Sequence, residues 1–392
     1  MKIIDRFEIP YYQYLNEESQ LADEIPPVAE DANTLLQLYR TMTLVRTMDT
    51  KAIALQRTGK LGTYPSTRGQ EAVFVGVGNA MAKSDIFVPY YRDMGTLIQR
   101  GARLSQILQY WGGDERGNCY DNEDFPYSVP IGSQTLHAAG AAFAVKFRKE
   151  KRAVLSLIGE GATSEGDVYE AMNVAGIWKL PIVFVVCNNQ WAISVSRAAQ
   201  TAAHTIAQKA IAAGFSGEQI DGNDIIAVQH RTVEALKSAR EKGEPRLLEM
   251  VCYRQHDHTT ADDASRYEPK SIREQEWKKE PIARLRRYLE TKKMWSEKQE
   301  DALQAECALE VDEAVKEYLS VTPQPPESMF DHHRREMVKK EQPLVIPVYE
   351  QNKLLCFPND VRVHECPHQM AYGKQLGSLN VHEYDYACAK HD

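Results

Sequence analysis

A chain of 392 residues and 44.5 kDa, 43% hydrophobic and 26% charged, is long enough to bury a large core, and a mean hydropathy of −0.48 is that of an ordinary globular protein rather than a disordered or fibrous one. The formal charge of −8 argues against a nucleic-acid partner held by a broad positive field. The longest apolar run, Ile182 to Cys187, falls far short of the roughly 20 residues needed to span a bilayer, so no membrane partner is expected, and about 150 residues per domain would give two or three units.

Residues 1–33 carry Pro10, Pro26 and Pro27 without sustained periodicity and read as an extended arm. Their charged residues are mostly acidic. No apolar signal-peptide core or Arg-rich transit segment occurs there, and the cysteines, scattered from Cys119 to Cys388 without a CxxC pair, suit reduced thiols. The cytoplasm of a bacterium is the expected compartment.

Leu35, Leu38, Met42, Val45, Met48, Ala52 and Leu55 recur at steps of three and four, which lines one face of a long helix that Gly59 and Gly62 end. Farther on, Ala153–Ile158 reads as a buried strand, Ser164–Leu180 as a helix opened by a capping-box-like Ser164 and Asp167, and Ile182–Cys187 as a second buried strand. Ile225, Val228, Thr232, Leu236 and Ala239 mark another helix, and Arg246–Tyr253 another strand. Continuous apolar strands alternating with helices indicate an α/β fold, a parallel sheet flanked by helices. After residue 270 the signals are helical: Pro281 suits a first turn, and Ser296 with Gln299 caps a helix carrying Leu303, Cys307, Val311, Ala314 and Tyr318. Met329–Glu341 reads as one more short helix. The resulting division is an arm (1–33), an α/β domain (34–270), a helical appendage (271–343) and a loosely packed or disordered tail (344–392). Cys356, His364, Cys366, His368 and Cys388 in that tail match no zinc spacing.

The chemistry concentrates at Gly159-Glu160-Gly161-Ala162-Thr163-Ser164-Glu165-Gly166, between a strand and a helix. Glycines there let a ligand approach the backbone, and a helix start favours an anion such as phosphate. Glu160 would repel a bare diphosphate unless a divalent cation lay between them, and magnesium accepts one or two protein oxygens plus phosphate oxygens. Asn189, 29 residues later, falls after the next strand, so both side chains belong at the carboxyl ends of parallel strands, where such sheets bind ligands. A dinucleotide fingerprint fits poorly: Ser164 stands where it wants glycine or alanine, and two asparagines stand where it wants an acid. No GxxxxGK[ST] sequence occurs.

Gly159-Glu160-Gly161 through Asn188-Asn189 resembles the thiamine-diphosphate motif. The resemblance extends through Leu61–Tyr64 with Gly69-Gln70-Glu71, Pro89–Asp93, Ser128–Gln134, Asp221–Asp224 and Tyr253–Tyr267. Over about residues 35–335 the chain is similar to the alpha subunit of the decarboxylating component of 2-oxo acid dehydrogenase complexes. That resemblance implies thiamine diphosphate and Mg2+ as cofactors. It implies Glu160, Asn189 and the Trp191 carbonyl as magnesium ligands, Gly161, Ala162 and Glu165 around the diphosphate, Tyr91 and Arg92 contacting it, and Val129 and Ile131 clasping the aminopyrimidine. Ser128, Ser133 and Gln134 match a potassium site of branched-chain members, and His258 matches the catalytic histidine. Thr259 falls where animal relatives are phosphorylated. Most members carry Asp at the position of Glu160, and relatives often place a polar or charged residue at that of Cys187. The resemblance further implies a beta subunit in an α2β2 heterotetramer that supplies an activating glutamate. Its partner would be a lipoyl-bearing dihydrolipoyl acyltransferase core, its substrate a 2-oxo acid. Pyruvate is the expected acid, with branched-chain and acetoin-cleaving complexes as alternatives. A non-catalytic assembly subunit and a nicotinamide-dependent dehydrogenase are the readings from other classes.

Overall fold

The computed structural model describes residues 1–325 and 328, and the backbone of 346–350 and 353–357. It falls into two units, Met1–Val321 and Thr322–Asp392. The first is built on six parallel strands: β1 (Tyr11–Tyr12), β2 (Ile86–Val88), β3 (Val154–Gly159), β4 (Ile182–Asn188), β5 (Ser216–Asp221) and β6 (Arg246–Val251), in the spatial order β1-β5-β6-β4-β3-β2. Seven helices matter to the argument: α1 (Ala32–Arg57), α2 (Glu71–Ala80), α3 (Gln134–Phe147), α4 (Gly166–Trp178), α5 (Ile225–Lys242), α6 (Pro281–Thr291) and α7 (Glu297–Ser320).

Both faces of the sheet are covered, which is why its central strands read as unbroken apolar runs. Successive side chains of a strand point to opposite faces. Leu155, Leu157, Val183, Val185 and Cys187 join one core with α1, α2 and α5, while Val154, Ile158, Ile182, Phe184 and Val186 join another with α3 and α4. Each large side chain buried this way contributes about 1.5–3 kcal/mol.

The α1 stripe is buried throughout, from Leu35 to Leu55, and packs against the Leu303, Cys307 and Val311 stripe of α7. Asp31 caps α1 by accepting from the Asn33 and Thr34 amides, and Ser296 caps α7 from Gln299. Pro281 opens α6 as its fixed φ allows. The arm is extended, but it is also structural: Tyr11–Tyr12 add the edge strand and Leu15 is fully buried.

Three features depart from the sequence reading. Ser164 and Asp167 do not form a cap: Gly161–Ser164 make their own 3-10 turn, so α4 starts at Gly166 behind Glu165, which gives no side-chain cap bond. Strands β2 and β5, and helices α2 and α3, carried no signal strong enough to be read. In the second unit, Ile346–Glu350 pairs antiparallel with Lys353–Phe357, where no period was expected. The short helix expected over 329–341, the side chains of the Cys and His group and most of the tail lie outside the described residues.

Candidate active site

Four neighbouring strands end at one place. Register pairs Gly159 with Cys187 and Asn188 with Val251, so Glu160 just beyond β3 and Asn189 just beyond β4 are adjacent. The segment after β2 brings Tyr91 and Arg92, and the segment after β6 brings Arg254 and His258. Glu160, Asn189, Tyr91, Arg92 and His258 line a cavity of about 210 Å3, and Arg254 stands behind it, bonded to the Trp191 and Ile193 carbonyls of the lining.

Of the residues the sequence singled out, Tyr91, Arg92, Ser128, Ile131, Gln134, Glu160, Gly161, Ala162, Asn189, Trp191 and His258 line this cavity. Val129, Ser133 and Glu165 are not in its lining; Val129 is half exposed and Glu165 is exposed. Ser133 instead lies behind Ser128, with their hydroxyls 2.9 Å apart. The Gln134 amide donates to the Leu157 carbonyl at 3.1 Å, which leaves its own buried Oε1 without a partner.

Glu160 is the main electrostatic anomaly. It is buried, its Oε1 has no hydrogen-bond partner, and its Oε2 accepts only a long 3.4 Å bond from the Asn189 amide. Burial pushes its carboxyl up to about 7. A buried carboxylate oxygen without a partner is costly and asks for a ligand. Beside it, Asn189 Nδ2 donates to Gln70 Oε1 at 2.9 Å, while Asn189 Oδ1 accepts from the Trp191 amide at 3.2 Å. The Trp191 carbonyl accepts from Arg254 at 3.3 Å and keeps a second lone pair. Among the described residues no cluster of three or more His, Cys, Asp and Glu side chains could hold a metal. A cation here would therefore take one carboxylate, neutral oxygens and oxygens of its ligand, the donor set that suits magnesium.

Two buried guanidiniums face that carboxylate. Arg92 donates to the Ser66 and His258 carbonyls at 2.6 and 3.0 Å. Arg254 donates to the Ile193 carbonyl at 2.9 Å and to Tyr267 Oη at 2.7 Å. Both also approach His258 Nδ1, at 3.1 and 3.3 Å. Burial first, then these two cations, push the imidazole down to about 3. The ring is neutral with Nδ1 accepting, which places its hydrogen on Nε2. Asp262 accepts from the His258 amide at 2.9 Å and from Tyr267 Oη, bracing the loop. Thr260 ties the same loop to Tyr64 through bonds of 2.9 and 3.0 Å. The site thus offers concentrated positive charge, an unsatisfied carboxylate oxygen on Glu160 and a neutral N–H donor.

The family described as Dehydrogenase E1 component matches residues 39–327. This chain belongs to it. It is similar to the 3-methyl-2-oxobutanoate dehydrogenase subunit alpha of Mycobacterium tuberculosis (strain ATCC 25618 / H37Rv), 42% identical over 274 residues that cover 69% of this chain and 75% of the relative. It is similar to the pyruvate dehydrogenase E1 component subunit alpha of Bacillus subtilis (strain 168), 40% identical over 311 residues, 78% of this chain and 83% of the relative. A Mycoplasma genitalium relative of the latter name is 34% identical over 341 residues, 86% and 95% of the two chains. The parallel α/β sheet agrees with this family, whose members are oxidoreductases acting on 2-oxo acids.

Arg254 and Gln70 bond to site residues of this E1 chain, and Tyr90, Gly132, Ala192 and Ile193 line its cavity, yet the sequence reading gave none of them a role. Arg254 had a signal: a basic residue three positions past Val251, the last residue of a buried strand, belongs at the sheet's carboxyl edge. Gln70 stood only within the Gly69-Gln70-Glu71 stretch of the resemblance, and spacing could not pair it with Asn189, 119 residues away.

Proposed function

We propose that this chain is the alpha subunit of a pyruvate dehydrogenase (acetyl-transferring), acting with a beta subunit on pyruvate and passing the acetyl group to a lipoyl-bearing acyltransferase. The observation that carries the reading is the unsatisfied Glu160 oxygen beside Asn189, facing buried Arg92 and His258 in one cleft. Glu160, Asn189 and the Trp191 carbonyl would hold Mg2+, with Gly161 and Ala162 against the diphosphate of thiamine diphosphate. That cofactor, when bound, supplies the carbanion that attacks the ketone and the electron sink that lets carbon dioxide leave.

The protein's own part is position and charge. Arg92 is a donor for a phosphoryl oxygen. His258, held neutral with its hydrogen on Nε2, donates a hydrogen bond to a carbonyl oxygen as negative charge develops there. Ile131 gives the cleft an apolar wall on its solvent side. The pairing with a beta subunit follows from the names of the relatives, which are alpha subunits.

A branched-chain 2-oxo acid is the second reading, favoured by the 42% identical relative that acts on 3-methyl-2-oxobutanoate by name. Steady-state rates of the reconstituted alpha and beta pair with pyruvate and with 3-methyl-2-oxobutanoate, using a dye acceptor, decide between them. Higher kcat/KM for pyruvate supports the proposal; a preference for the branched acid replaces it.

A further inference from the structure

Lys209 is buried, yet no carboxylate forms an ion pair with it among the described residues: its Nζ meets only the Thr163 carbonyl at 2.6 Å, Thr163 Oγ1 at 3.0 Å and the face of Tyr169 at 5.0 Å. A buried ammonium without a counter-charge is expensive, and the expense is offset where an anion arrives nearby. Thr163 belongs to the turn after Glu160. Its amide and its hydroxyl both donate to the Glu160 carbonyl, at 3.1 and 2.7 Å. The ammonium thus acts one step behind the backbone that carries Glu160.

Gln200 holds the same turn from the other side. Its Nε2 reaches the Glu160 carbonyl at 3.0 Å, the Gly161 carbonyl at 3.1 Å and Ser164 Oγ at 2.9 Å. Both residues come from one stretch of chain between β4 and β5, and that stretch is itself tied to the asparagine turn, where the Arg197 amide donates to the Gln190 carbonyl at 2.9 Å. The turn's carbonyls are therefore drawn away from the cleft by donors from outside it. The Glu160 side chain does not cap the turn, so these outside donors add to the local Thr163 bonds in holding its orientation.

We infer that Lys209 and Gln200 are positioning residues for diphosphate and metal: they clamp the Glu160–Ser164 turn, and Lys209 adds a fixed positive charge behind it. Neither is itself a lining residue of the cleft; Gln200 acts on two that are, Glu160 and Gly161, through their carbonyls. The inference rests on the thiamine-diphosphate reading above, and it assigns a role to a segment that the binding motif does not include.

The test is calorimetric titration of the cofactor-free alpha and beta pair with thiamine diphosphate at saturating Mg2+, alongside kcat at saturating cofactor. Binding by the wild-type pair tests the reading on which the inference rests; the ratio of variant to wild type tests the inference itself. Lys209→Met keeps the apolar stem and removes the charge, and it should weaken cofactor binding about tenfold while kcat at saturation stays within about twofold. Lys209→Arg should restore most of the affinity, which a packing role would not require. Gln200→Met, at a partly buried position, should raise the Mg2+ concentration needed for half-saturation, and it serves as the second variant if Lys209→Met fails to fold. Unchanged affinity in Lys209→Met, a loss that Lys209→Arg leaves unrepaired, or an unchanged Mg2+ requirement in Gln200→Met overturns the inference.

Discussion

Arg92 Nη2 lies 3.1 Å from His258 Nδ1, so a permanent cation occupies the position from which that nitrogen could be protonated. Arg254 Nη1 adds a second at 3.3 Å. The folded state therefore excludes a proton that the unfolded chain accepts near pH 6.5. The sign follows from linkage: this ring's contribution to stability is intact above about 6.5 and is lost as the pH falls toward about 3. Nitrogen NMR of the cofactor-free protein should show His258 neutral, with its hydrogen on Nε2, from pH 8 down to pH 5. Arg254→Met should move its titration upward. An imidazolium signal at pH 6 in the unsubstituted protein would contradict this account.

Glu160 titrates in the opposite sense. Its folded-state pKa, raised to about 7 by burial, lies above the unfolded value, so the native state takes up a proton between roughly pH 4.5 and 7. Its contribution is fully present below that window and lost as the pH rises through 7. Glu160→Gln removes the buried charge. The cofactor-free variant should be more stable than the parent at pH 8 by roughly 3 kcal/mol and nearly equal to it at pH 4.5, while Mg2+-dependent cofactor binding is abolished. Urea unfolding at the two pH values checks it, and an equal difference at both refutes it.

What could be read in the sequence follows from the distance over which each signal acts. The Glu160 turn and Asn189 sit within one strand-helix-strand unit, so glycine chemistry and spacing placed them together before any coordinates. The α1 and α7 stripes were legible because one face of each is buried over many turns. Strand β2 is an apolar run of only three residues, Ile86–Val88, too short to stand out, and β5 begins Ser-Gly-Glu-Gln with no apolar run at all, so both were missed. Glu165, which follows the 3-10 turn, is exposed and outside the cavity lining, but its Cβ and Cγ lie close to Gly132, which belongs to that lining. His258 was reached by resemblance, whereas the cations that set its charge state are visible only in three dimensions.

Gly69 connects the site to the loop that bears His258. It has φ +86°, and a Cβ there would lie 2.3 Å from the Tyr253 carbonyl oxygen. Its neighbour Gln70 receives the Asn189 amide at 2.9 Å. Gly69→Ala should cost about 3 kcal/mol or more, since clash and left-handed strain add, and should raise the Mg2+ concentration needed for cofactor binding. Gly59→Ala is the control: its φ is +71°, but its Cβ would meet nothing within 4 Å, so about 1 kcal/mol is expected. Thermal unfolding of the two variants checks the contrast, and equal losses would show that the contact with Tyr253 is not what matters.

Arg284 and Asp221 form a buried ion pair at 2.6 Å that fastens three parts of the first unit together. Asp221 ends β5, Arg284 lies on α6, and the same guanidinium donates to the Leu15 carbonyl of the arm at 3.2 Å. Ser19 returns a bond from the arm to the Arg284 carbonyl at 2.8 Å, and Gln13 donates to Asp221 at 2.7 Å. Removing the cation leaves a buried carboxylate without its counter-charge, which costs about 3–5 kcal/mol, whereas removing both charges costs much less. Arg284→Met should therefore lower stability to urea by that amount and speed proteolysis of the arm before Leu15. Adding Asp221→Asn should recover much of the stability. The arm should remain cleavable in the double variant, because the bond to Leu15 is still missing. A loss below about 1 kcal/mol in Arg284→Met, or a double variant no more stable than the single one, would show that the pair does not hold the arm in place.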